Sequence, residues 1–123
     1  MRNWNKDVGD FHRKIKYPEA QFPTIKPEVN LTHRIQHMHE ELREYREAVL
    51  EGELPAAVDA MVDLIYLAIG TVRAHGVDIN PCWDLVQEAN MKKLPGDNWK
   101  NTTKPDDWEA PDLAKVIYDR PVQ

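Results

Sequence analysis

The chain has 123 residues, a formal net charge of −5 from 16 Lys and Arg against 21 Asp and Glu, and one cysteine. Its length allows one domain with one core, and 41% hydrophobic with 30% charged residues describes a globular chain rather than a disordered one. The acidic total argues against a nucleic acid polymer as partner, which needs a basic stripe, and the lone cysteine excludes a disulfide framework or a Cys-rich zinc site.

Met1-Arg2-Asn3-Trp4-Asn5-Lys6-Asp7 holds no apolar run like a signal peptide. A short amphipathic helix is expected near Asn5–Ile15, carrying Val8, Phe11 and Ile15. Of nine prolines, only Pro55 and Pro81 fall between residues 28 and 94, each where a helix can begin. The second helix is expected from about Pro27 to Leu50, on the stripe Leu31, Ile35, Met38, Leu42, Tyr45 and Val49. After the turn Glu51-Gly52-Glu53, a third helix runs from about Pro55 to Ala74 and stops near Gly76. So short a connection makes the pair an antiparallel hairpin. A fourth helix is expected from the cap Asn80-Pro81 to about Lys93, ended by Pro95-Gly96. Residues 96–111 read as an ordered loop or arm with Trp99 and Trp108, and a last short helix covers Asp112–Ile117. No strand signal and no repeat is visible. The expectation is one all-α domain over residues 1–123, an antiparallel bundle of four to five helices with its core at about 28–94 and an arm at 95–123. The strongest uncharged apolar stretch, Leu64–Val72, is about half of the ~20 residues of a membrane span. A cytoplasmic protein with no membrane partner is therefore expected.

The helix after Pro55 is the informative one. Asp59 and Asp63 lie about 40° apart on it, and Ala60, Met61, Val62, Leu64, Ile65, Leu67, Ala68 and Ile69 fill the rest of its circumference. A helix apolar all round is expected to be buried, which makes two carboxylates on it costly. On the preceding helix Glu41 and Glu44 share a face, with Arg34, His37 and Ala48 close by. An antiparallel hairpin brings these acids opposite Asp59 and Asp63. Basic side chains, protonation or a divalent cation would offset the repulsion. Oxygen ligands alone suit Mg²⁺, Mn²⁺ or Ca²⁺ better than zinc.

Other chemistries fit less well. Neither Gly-rich nucleotide loop is present, His39-Glu40 fails as a zincin because residue 43 is Arg, and no Glu-x-x-His occurs. His33 and His37 read as polar helix residues, and Cys82 as a packing thiol. Asn90 with Lys92 and Lys93 supplies an amide and two cations at a helix end. The dipole favours cations there in any case.

Taken together, Glu40-Glu41-x-x-Glu44, Asp59-Ala60-Met61-Val62-Asp63-Leu64-Ile65-Tyr66, Gly70, His75-Gly76-Val77-Asp78 and Asn90-Met91-x-Lys93 resemble the all-α nucleoside triphosphate pyrophosphohydrolases. These include the MazG-like proteins, the dimeric dUTPases and phosphoribosyl-ATP pyrophosphohydrolase. The similarity covers about residues 8–95, and Pro111-Asp112-Leu113 also looks like the last of these branches. The resemblance implies a Mg²⁺-binding bundle (Mn²⁺ in its place is compatible) that acts as a homodimer or homotetramer. Glu41, Glu44 and Asp63 match its metal-binding and catalytic acids. The third acidic position departs: Ala60 stands three residues before Asp63, and Asp59 lies one step earlier on the same face. The implied reaction converts a (d)NTP to the monophosphate and pyrophosphate. In that chemistry Lys93 is expected to neutralise phosphate charge and Asn90 to bond sugar or base, as substrate-binding residues. The alternative is a non-catalytic helical dimer or nucleotide-binding scaffold that keeps the fold, and hydrolysis of phosphoribosyl-ATP ranks third.

Overall fold

A computed structural model describes residues 1–26 and 31–118. In chain order its elements are α1 (Trp4–Ile15), α2 (Leu31–Leu50), α3 (Leu54–Ala74), α4 (Ile79–Met91), the antiparallel pair β1 (Leu94–Pro95) and β2 (Thr102–Thr103), and α5 (Ala114–Ile117). The protein is all-α, as the periodicity predicts. The expected start of the second helix, at Pro27, lies outside the described residues.

Local chemistry accounts for most of the boundaries. Asn3 caps α1 by accepting a hydrogen bond from the Lys6 amide, and α1 stops at Lys16, which takes a left-handed conformation. Pro55 sits in the first turn of α3, where its missing N–H costs nothing. The cap of α4 is Asp78, not Asn80: the Asp78 carboxylate accepts the Asn80 amide at 2.9 Å. Asn80 is thereby inside the helix, and its side-chain amide donates to Asn3 Oδ1 at 3.0 Å, tying α4 to the start of α1. The strands are a further correction. Leu94 pairs with Thr103 and Pro95 with Thr102, a ribbon too short for a periodic signal.

α3 is the central helix, packed chiefly on α2 and on its other flank on α1. It is not buried all round as expected. Val58, Val62, Ile65 and Tyr66 remain exposed, as do Asp59 and Asp63. The expected core stripe of α2 also faces out, with Ile35, Leu42, Tyr45 and Val49 between 39% and 53% exposed. What α2 buries is Arg34, Glu41 and Ala48, two turns apart on one face. The buried apolar side chains of the two helices are mostly small, Ala48 on α2 and Ala57, Ala60, Ile69 and Ala74 on α3, and many larger apolar side chains stay uncovered in a single chain. By length and composition α3 is long and apolar enough to cross a membrane, further than Leu64–Val72 alone suggests. The core helix of a soluble protein passes the same test, and α3 also carries Arg73 into a polar contact network.

The connector after α1 is pinned along the end of α3. Ala20 N–H donates to Ala74 O, and Thr24 N–H to His75 O. Gly76, at φ +80°, makes this possible: a Cβ there would stand 2.3 Å from Phe22 O.

Candidate active site

Glu41 is the buried member of the acidic group, only 7% exposed, with a neighbour in His37, whose Nε2 lies 3.8 Å from Glu41 Oε1. The other oxygen, Oε2, is buried with no hydrogen-bond partner. Native structures rarely leave a buried acceptor in that condition. Burial, then Glu44, then Asp63 and Asp59 push the Glu41 carboxyl up to about 6. Asp63 is raised too, by partial burial first and then by Asp59 and Glu44, with His37 acting against them. The helix hairpin thus does bring together the four acids that the spacing puts opposite one another. It places the desolvated one on α2 rather than α3.

The donor set fits a hard divalent cation. It is all oxygen apart from His37 at its border, it repels itself, and it holds an orphaned buried acceptor. As the side chains stand, no three His, Cys, Asp or Glu among the described residues close around a common point. Asn90 and Lys93 are not part of this group. Among the described residues, no hydrogen bond or ion pair joins them to the four carboxylates. Lys93 instead lies near Trp108, 5.5 Å from ammonium to ring centre.

A second polar cluster, not anticipated from the sequence, sits further along the same hairpin. Arg73, 2% exposed, donates from Nε at 2.6 Å and from Nη2 at 3.1 Å to the Glu19 carboxylate. His12 Nδ1 meets the same carboxylate at 2.8 Å. Arg34, buried on the Glu41 face of α2, donates to the Tyr17 hydroxyl at 2.8 Å and lies over its ring. Its Nη2 is 3.5 Å from His12 Nε2. Burial pushes the His12 imidazole down, against the pull of Glu19. Burial would raise the Glu19 carboxyl, but its bonds to Arg73 and His12 outweigh that and hold it below the usual range. Gly70 makes room: a Cβ there would meet His12 Nε2 at 2.9 Å and Arg34 Nη2 at 3.3 Å. The cluster joins α1, the connector, α2 and α3, on the same helix hairpin that carries the acids. Its one visible sign in the sequence is Arg34 on the face of Glu41.

A cleft of about 540 Å³ between α1 and α3 is lined by Trp4, Asp7, Asp10, Val62, Ile65 and Tyr66 among others, and does not contain the four acids. It borders the uncovered flank of α3.

A protein-family model described as phosphoribosyl-ATP pyrophosphohydrolase matches residues 8–90. No curated protein matches the chain. The matched span contains all four acids and the His12–Arg73 cluster, and ends before Lys93 and the ribbon.

Proposed function

The chain belongs to the phosphoribosyl-ATP pyrophosphohydrolase family, hydrolases of phosphoric anhydride bonds within the MazG-like superfamily, and from that premise we propose a divalent-metal-dependent pyrophosphohydrolase acting on a nucleoside 5′-triphosphate. The observation that carries the metal dependence is Glu41, a buried carboxylate with one unpartnered oxygen, whose pKa is raised by burial first and then by three neighbouring acids. Glu41, Glu44, Asp59 and Asp63 would hold the cation, Mg²⁺ or Mn²⁺. When bound it supplies Lewis acidity and cancels phosphate charge, which lets an acidic face accept a polyanion.

The chain's own residues do the rest. Glu44 is exposed beside Glu41, open to water, and is assigned to orient the attacking water and take its proton. The water oxygen bonds to the α-phosphorus, the α–β bridging bond breaks, and pyrophosphate leaves with the bridging oxygen. Glu41 and Asp63 hold negative charge where the cation needs it. A (d)NTP and phosphoribosyl-ATP both carry this triphosphate. The family match favours the second more than its third place in the sequence reading, so both belong in the assay.

We also assign the protein a homodimeric state, in which the exposed stripe of α2 and the uncovered flank of α3 cover each other between copies.

The test is pyrophosphate release across (d)NTPs and phosphoribosyl-ATP, with and without Mg²⁺, in ¹⁸O-labelled water. At least one substrate is expected to turn over only with metal and to place the label in the monophosphate. Glu41→Gln and Asp63→Asn are expected to lower the rate by at least about 100-fold, the scale of losing a group that acts in the transition state, with the fold intact. Turnover in chelator, label in pyrophosphate, or full activity in both variants would overturn the reading. Metal binding without any turnover would leave the scaffold alternative.

A further inference from the structure

His37 borders the acidic group with a nitrogen instead of an oxygen. It stands one turn before Glu41 on the same face of α2, and that i,i+4 spacing lets two side chains of one helix grip one ion. His37 also reaches the α3 side of the group. Its charge opposes the partial burial and the Asp59 and Glu44 charges that raise Asp63. The imidazole is half-exposed where Glu41 is buried, so it lies at the mouth of the group, open to an arriving ion.

The separation of the two side chains carries information. His37 Nε2 lies 3.8 Å from Glu41 Oε1. That is too long for a hydrogen bond, which needs about 3.2 Å or less between nitrogen and oxygen. It falls within the range of two atoms bound to one cation. With metal–ligand bonds of about 2.1 Å, two ligands stand about 3.0 Å apart at a right angle and about 4.2 Å apart when opposed. Independently, Glu41 Oε2 is buried with no hydrogen-bond partner, an acceptor aimed into the group and left for something outside the chain. A surface ion pair between His37 and Glu41 leaves that second oxygen unexplained.

The carboxylates alone describe a site for a hard cation. An imidazole changes the description. Carboxylate and water suit Mg²⁺ and Ca²⁺, whereas imidazole suits transition-metal ions. Mn²⁺ takes carboxylates as Mg²⁺ does and stands on the transition-metal side of that divide.

We infer that His37 Nε2 is a ligand of the cation held by Glu41, and that this nitrogen makes the site prefer Mn²⁺ to Mg²⁺. The inference rests on the proposed metal dependence, not on any substrate. The ligand form is the neutral imidazole with its proton on Nδ1. His33 is the next imidazole along α2, its ring centre 6.0 Å from that of His37. It lies two turns from Glu41 and is not assigned to the ion.

The experiment is pulsed electron paramagnetic resonance of Mn²⁺ bound to the full chain, read for the ¹⁴N coupling of a directly bound imidazole. Calorimetric titrations of Mn²⁺ and Mg²⁺ accompany it. Wild type is expected to show the coupling. His37→Ala is expected to lose it while still binding Mn²⁺ through the carboxylates. Its Mn²⁺ affinity is expected to fall by at least about tenfold, with a smaller loss for Mg²⁺. Circular dichroism checks that its helical content is kept. His33→Ala is expected to keep the coupling and both affinities. Mn²⁺ bound without ¹⁴N coupling, or a coupling that survives in His37→Ala, overturns the ligand and leaves the metal reading standing. Equal losses for the two ions in His37→Ala overturn the preference. No Mn²⁺ binding by wild type overturns the inference and the metal reading together.

Discussion

Glu41 carries two conditions that do not sit together in water: an oxygen with no donor, and three other carboxylates within range. Its raised pKa has a consequence for stability. In metal-free protein the folded state holds the Glu41 proton more tightly than the unfolded chain does. Stability therefore falls as pH rises from about 4.5 to about 6 and this contribution is constant above. Melting temperature against pH in chelator, wild type compared with Glu41→Gln, should show that segment in wild type alone. A flat difference between the two would contradict it. At this scale the sequence was informative about position and misleading about burial. The spacing of Glu41, Glu44, Asp59 and Asp63 is legible because helical angles follow from numbering. Burial is not. α3 reads as apolar all round, yet one helix cannot be covered on every side by α2 and α1 alone. Asp63 stays exposed, and the desolvated acid is Glu41, at the edge of its own helix's stripe.

At the scale of elements, the α2–α3 hairpin is aligned by side chains that a hydrophobic pattern does not reveal. Arg73, Glu19, His12 and Arg34 come from α3, the connector, α1 and α2, so no local window contains them. Removing Arg73 leaves the Glu19 carboxylate largely desolvated without its bidentate partner. Arg73→Met is expected to cost about 3–5 kcal/mol in denaturant unfolding. A loss below about 1 kcal/mol, the value of a surface pair, would show that the cluster does not hold the helices together. The helices themselves were legible from proline placement and periodicity. The α4 cap was displaced because Asp78 offers a carboxylate two residues before Asn80. The ribbon was missed because two-residue strands have no period to detect, and one of its four residues is Pro95.

For the whole molecule, the single chain leaves many of its larger apolar side chains outside and buries mostly alanines in α2 and α3. Under the proposed dimer, a charge in the α2 stripe is expected to disrupt assembly before it disrupts the fold. Leu42→Lys should sediment as a monomer with helical content kept, where wild type sediments as a dimer. A monomeric wild type would contradict the assignment. The net charge of −5 is unevenly distributed. Acid concentrates on the α2–α3 hairpin, where residues 31–74 hold eight Asp and Glu against four Lys and Arg. The central claim is that the acidic group is a metal site built around Glu41. The measurement that reaches it most directly is calorimetric titration of Mg²⁺ and Mn²⁺ into the wild type and into Glu41→Gln at pH 6. The account predicts saturable binding with proton release in wild type and binding weakened at least about tenfold in the variant. No binding in wild type, or equal affinity in both proteins, would contradict it.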